Sequence, residues 1–168
     1  MLDKNAIAAA SKVLHDHWRG GTKLTGLDAA QRPHDRNEAY AIQAAIEQYS
    51  SAPLFGWKIA ATSEAGQKHI NVDGPMAGRI LAETVIADGG TASMAGNDMR
   101  VAEPEFAFRM RVDLPPRAAP YSVQEVLDAV DTLHPAIEIP DSRFADFVSA
   151  GAAQIIAELD SLYALGWR

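Results

Sequence analysis

The chain has 168 residues, 48% of them hydrophobic, a formal net charge of −7 and no cysteine. That length suits one domain with a sizeable core; the acidic balance argues against nucleic acid or an anionic membrane as the main partner. Without cysteine there is no disulfide framework and no thiolate metal site. No run approaches the ~20 apolar residues of a membrane span, and Asp3, Lys4 and Asn5 do not open a signal peptide, so a soluble cytoplasmic protein is expected.

In chain order, Asp3 to Arg19 reads as an amphipathic helix, with Ile7, Ala10, Val13, Leu14 and Trp18 near helical spacing and Gly20-Gly21 as its stop. His15 and His17 diverge on such a helix and read as surface residues. Thr22 to His34 is a loop. Asp35 or Asn37 caps a second helix whose buried stripe is Ala41, Ile42, Ala45, Ile46 and Tyr49. Leu54 to Thr62 reads as a buried strand with Lys58 in its middle. Two readings of Lys58 are open: a rim residue whose amine reaches water, or a cation aimed into a cleft. A short helix starts at Thr62-Ser63-Glu64 and runs through His69, which reads as structural. Val72 to Arg79 is turn-rich, Ile80 to Ala87 reads as a strand, and Gly89-Gly90 opens a small-residue loop to Asn97. Nothing fits a Rossmann fingerprint or a P-loop.

The stretch from Val101 to Asp141 carries the chemistry. Read as strands, both its ends alternate with a period of two. Glu103, Glu105, Ala107 and Arg109 share one face of the first, and Pro104, Phe106, Phe108 and Met110 the other. In the second, Ile137 and Ile139 share a face, with Glu138 pointing the opposite way beside Ala136. The apolar faces are expected to pack into a core while the glutamates converge in one cleft. Clustered carboxylates repel unless something positive sits between them, and a small divalent cation does that best; a plain solvated acidic face is the alternative. Pro104 cannot donate a ladder hydrogen bond and marks an edge or bulge. Between the two strands, Leu114 to Pro120 is a proline-rich excursion. A helix from Ser122 through Leu133 follows, capped by the Ser122/Glu125 pair, with Val123, Val126, Leu127 and Val130 expected inward.

Glu103-Pro-Glu105-Phe-Ala-Phe108 and Glu138-Ile-Pro-Asp141-Ser-Arg143 resemble the metal-binding signatures of the 2-keto-4-pentenoate hydratase / 4-oxalocrotonate decarboxylase family, within the fumarylacetoacetate hydrolase superfamily. Gly56-Trp-Lys58-Ile-Ala-Ala-Thr62-Ser63 resembles that family's lysine-bearing strand. The three occur in family order and spacing, and the resemblance runs from about Ile7 to Ile156. The Ser149 to Ile156 segment still resembles the family as a helix; from Glu158 the tail departs from the pattern.

The resemblance implies an α+β fold in a single domain over 1–168: an N-terminal helical lobe at 1–52 and a β-rich catalytic part at 53–168. That part would hold a portion of the family's mixed, curled β-sheet core, with the C-terminal strands missing. It also implies a metal-dependent hydro-lyase of aromatic-compound catabolism. Such an enzyme adds water to a 2-hydroxypenta-2,4-dienoate-type acid to give a 4-hydroxy-2-oxo acid. Decarboxylation of a 2-oxo-3-enedioate, hydrolysis of an acylpyruvate, and an inactive truncated chain serving as an assembly partner are the alternatives. Glu103, Glu105 and Glu138 would hold Mg²⁺ or Mn²⁺, ions suited to hard carboxylate oxygens. Lys58 would be the proton shuttle or an electrostatic partner. Met76 stands where some relatives carry a catalytic acid after the proline, so Asp73 is the remaining acid/base candidate. Ser142 and Arg143 would face the substrate, although an Asp141–Arg143 structural pair is an equal reading. The expected partners are a small 2-oxo or 2-hydroxydienoic acid and further copies of the chain, since missing strands would leave edges and apolar area uncovered.

Overall fold

The computed structural model describes residues 1–158 and the backbone of residues 161–165; residues 159–160 and 166–168 of the divergent tail lie outside the described residues. The first helix, α1 (Lys4–Gly20), begins where Asp3 accepts a hydrogen bond from the Ala6 N–H at 2.8 Å and ends where Gly21 turns left-handed at φ 59°. Asp35 caps α2 (Arg36–Ala44) by accepting from the Glu38 N–H, and the chain tightens into a 3₁₀ turn over Ala45–Tyr49. Ala10 and Leu14 of α1 and Ile42 of α2 join the core as the helical spacing predicts, while Ala39, outside the expected stripe, is buried with them and Ala41, Ala45 and Tyr49 are half-buried.

Strand β1 (Gly56–Ala60) carries Lys58. Capped by Ser63, α3 (Glu64–His69) follows, and β2 (Met76–Ile80) returns antiparallel, with Lys58 opposite Gly78. The sequence reading makes 72–79 a loop, yet its second half is strand. Met76, Gly78 and Ile80 are buried in alternation with Ala77 and Arg79, a period the preceding Gly74-Pro75 turn signal masks. Conversely, the strand expected over Ile80 to Ala87 shrinks to β3 (Val85–Ile86), because a 3₁₀ turn at Ala82–Thr84 interrupts it.

The second sheet is mixed. Its order is β3, β6 (Ser161–Leu165), β5 (Val130–Pro140) and β4 (Glu103–Met110), with β3–β6 parallel and the other pairs antiparallel. Helix α4 (Val123–Ala129) has the full Ser122/Glu125 capping box but stops four residues short of Leu133. There Val130, Thr132 and Leu133 pair with Met110, Arg109 and Phe108; β-branched residues take the ladder when a partner strand lies alongside. The inward stripe expected of α4 is also not found, since Val123, Val126 and Leu127 are exposed. Gly151, at φ 86°, splits the expected Ser149 to Ile156 helix into α5 (Phe147–Ala150) and α6 (Ala152–Glu158).

The core joins α1, α2 and α6, with Ile155, Ile156 and Ala157 packed against Leu14, Ile42, Met76 and Phe144. Buried Gln43 ties the layers by donating to the carbonyls of Ala77 (3.1 Å) and Ile156 (2.7 Å). The mixture of helices with two small sheets agrees with the expected α+β class. The apolar face of the β4–β5 ribbon corrects the expectation of a core there: Phe106 is 75% exposed, Phe108 55%, and Met110, Leu133 and Ile137 also reach solvent. Only Ile139, at the ribbon's base, is buried. Among the described residues no helix is long and apolar enough to cross a membrane.

Candidate metal centre

Register decides the site. In the antiparallel β4–β5 pair, Glu103 stands opposite Glu138, Pro104 opposite Ile137, and Glu105 opposite Ala136. Side chains alternate across a strand, so all three carboxylates leave the same face. One carboxylate oxygen from each lies within 4.8 Å of the others, and Ala136 sets only a methyl group against Glu105. Glu103 and Glu105 are exposed and form an open side; Glu138 is buried and forms the floor.

The cation comes from the other sheet. Lys58 reaches from β1 to form an ion pair with Glu138 across 80 residues of sequence, and both side chains are largely shielded, 12% and 5% exposed. The cleft reading of Lys58, rather than the rim reading, describes its position. Glu103 feels the crowding most. Local burial, the charge of Glu138 and that of Glu105 push its carboxyl above the ordinary value, while Lys58 pulls the other way. Three carboxylates with hard oxygens, converging and short of positive charge, are a donor set that suits Mg²⁺, Mn²⁺ or Ca²⁺ and leaves room for water or substrate oxygens.

The remaining sequence candidates sit in other networks. Asp73 is exposed and ion-pairs with Arg36, whose guanidinium also donates to the Pro75 carbonyl at 2.6 Å. Ser142 and Arg143 are buried. The Ser142 hydroxyl donates to Glu158 at 2.5 Å, the Arg143 N–H donates to the same carboxylate at 2.6 Å, and the Arg143 guanidinium donates to the Asp141 carbonyl at 3.0 Å. Burial pushes the Glu158 carboxyl upward, and Arg143 opposes that. Beside this network lies a small cavity of about 90 Å³ lined by Thr22, Lys23, Asn97, Asp141, Ser142 and Arg143.

Two members of that network escape the sequence reading. Lys23, in the loop before α2, ion-pairs with Asp141 and donates to the Ser142 carbonyl at 2.5 Å. Glu158 stands where the resemblance fades. Neither carries a local signal, because the partners of Lys23 lie 118 and 119 residues away.

No family model matches the chain. Among curated proteins it is 29% identical over 150 residues to a 2-keto-4-pentenoate hydratase of Burkholderia vietnamiensis, covering 88% of this chain and 56% of that one. It is 31% identical over 126 residues to a 4-oxalocrotonate decarboxylase of a Pseudomonas species, covering 74% and 47%. The chain thus spans about half the length of the curated relatives it matches. Its fold superposes with a TM-score of 0.86 and 18% identity on 4-oxalocrotonate decarboxylase from Pseudomonas putida G7, solved with magnesium and adipate, over all of this chain and 65% of that one. By sequence, over most of its own length, the chain is similar to 2-keto-4-pentenoate hydratases and a 4-oxalocrotonate decarboxylase, and it shares the latter's fold.

Proposed function

We propose that the chain carries the metal-binding part of a lyase site. The site acts on a 2-hydroxypenta-2,4-dienoate-type acid, adding water to give a 4-hydroxy-2-oxo acid. The observation that carries this reading is the meeting of Glu103, Glu105 and Glu138 with Lys58 at one place. The three glutamates would hold Mg²⁺ or Mn²⁺, which when bound supplies a positive centre that draws in a 2-oxo acid and stabilises negative charge on its oxygens.

The other roles belong to the chain itself. Glu138, at the floor, orients Lys58 Nζ toward the carboxylate cluster. The Lys58 ammonium gives a proton to the far carbon of the dienol as the ketone forms and recovers the enol O–H proton in exchange, after which water adds to the conjugated double bond. Exposed Glu103 and Glu105 leave the open side through which a small acid enters. Asp73 serves as a secondary acid/base only after release from Arg36. Arg143 and Ser142 brace the turn after β5, with the substrate's carboxylate as their second partner.

Decarboxylation of a 2-oxo-3-enedioate is the second reading, favoured by the likeness to 4-oxalocrotonate decarboxylase in both sequence and fold. One assay separates them: the purified chain is given Mg²⁺ or Mn²⁺ with a dienoate or a dienedioate, and loss of substrate absorbance and CO₂ release are followed together. Hydration consumes the dienoate without CO₂; decarboxylation releases one CO₂ per dienedioate. Absence of metal-dependent turnover of either, in a folded chain, would sink both.

A further inference from the structure

Three carboxylates gathered within 4.8 Å of one another carry three negative charges, yet the cluster also holds one fixed positive charge. The Lys58 ammonium sits on Glu138, with both groups shielded from water, so screening between them is weak. With all three glutamates ionised, the four side chains sum to two negative charges. A divalent ion brings that sum to zero; a trivalent ion overshoots it. We propose that Lys58 sets the valence of the cation this centre accepts, holding down its affinity for any ion and more strongly for ions of higher charge. The proposal rests on the reading of Glu103, Glu105 and Glu138 as metal ligands.

The effect has a quantitative signature. Coulombic repulsion between the ammonium and a bound ion scales with the ion's charge. Removing the ammonium therefore tightens binding of every cation, and the logarithm of the gain for a trivalent ion is about 1.5 times that for a divalent one. A neighbouring unit charge changes the affinity of a divalent ion by roughly tenfold or more even with water-like screening. The expected gains are then about tenfold for Mn²⁺ and about thirtyfold for Tb³⁺. If Lys58 serves instead to hold Glu138 in place, its loss weakens both ions.

The test titrates Mn²⁺, followed by the magnetic resonance signal of the free ion, and Tb³⁺, followed by its sensitised luminescence, into the full chain and its variants. Lys58→Met should bind both ions more tightly, with Tb³⁺ gaining more; Lys58→Arg, which keeps the charge, should leave the Tb³⁺/Mn²⁺ ratio where it was. A wild-type chain that binds neither ion removes the metal-centre reading itself. Binding by the wild type, together with equal gains, no gain or a loss in Lys58→Met, removes only the role given to Lys58. Should Lys58→Met not fold, Lys58→Gln takes its place, since it keeps a donor for Glu138. Recovery of fold on adding Mn²⁺ to a neutral variant supports the proposal; neutral variants that stay unfolded under both ions overturn it.

Discussion

Lys58 and Glu138 come from strands in two separate sheets and form the ion pair that fastens β1 to β5. Glu138 is buried and the Lys58 side chain is largely shielded, so neither tolerates the loss of the other. Breaking a buried pair by removing one partner costs about 3–5 kcal/mol, because an uncompensated charge stays behind. Lys58→Met in metal-free buffer is expected to lose about that much in urea denaturation. Lys58→Met combined with Glu138→Leu should recover most of it, and a double variant as unstable as the single would refute this account.

Glu105 is the proposed ligand that can be tested without disturbing the fold. It is exposed, faces Ala136, and lies near the sheet's edge. Glu105→Gln should unfold at the same urea concentration as wild type yet bind Mn²⁺ at least about tenfold more weakly, having lost one charged ligand. Unchanged Mn²⁺ affinity by calorimetric titration would remove Glu105 from the metal centre.

Gln43 is a structural staple with no part in the site. Its amide donates to two carbonyls from different elements, inside the core. Gln43→Ala strands both acceptors away from water and should cost about 1–3 kcal/mol. Proteolysis would report the change as faster cutting near α6; a variant as stable as wild type contradicts it.

Acid should weaken the fold through Glu38 and Glu83. The N–H groups of His34 and Leu2 hold the Glu38 carboxyl at about 2, against an ordinary 4.5. The Ser51 N–H, with the Ser50 and Ser51 hydroxyls, does the same for Glu83. Both carboxylates bind protons more readily when the chain is unfolded, so their contribution is complete above pH 4.5 and is lost as pH falls toward 2. A thermal-melt series from pH 6 to pH 2 should show this decline. Glu38→Gln should flatten it, and an equally steep decline in the variant argues against the assignment.

Phe106, Phe108, Met110, Leu133 and Ile137 place a contiguous apolar strip on one side of an edge ribbon, and such strips associate. We expect sedimentation to show mass rising with concentration, and Phe106→Ser with Phe108→Ser to reduce that rise. A wild-type chain that stays monomeric throughout would count against it.

The carboxylate cluster was legible because alternation along β4 and β5 fixes which side chains share a face, and the facing register then does the rest. What lies against a face was not: periodicity groups Phe106 with Phe108 and Leu133 with Ile137, but no local pattern says whether anything covers them. The end of α4 was equally hidden. Val130 to Leu133 continue an apolar helical stripe on paper, and only the presence of Phe108 and Arg109 alongside makes them strand. Strand β2 was masked by the turn residues before it. The bracing of the 141–143 turn by Lys23 and Glu158 depends wholly on distant partners, which a linear reading does not supply.

Strand β4 alternates Glu103 and Glu105 with Pro104 and Phe106 along its first half, and that has a consequence for how the molecule assembles. A one-residue slip of β4 against β5 would turn Phe106 toward Lys58 and send Glu105 to the greasy side. On the proposed metal reading, correct alignment and cation capture are coupled: an ion held by Glu103, Glu105 and Glu138 would penalise every misaligned pairing. Adding Mn²⁺ should slow amide exchange along the ribbon, and a chelator should quicken it.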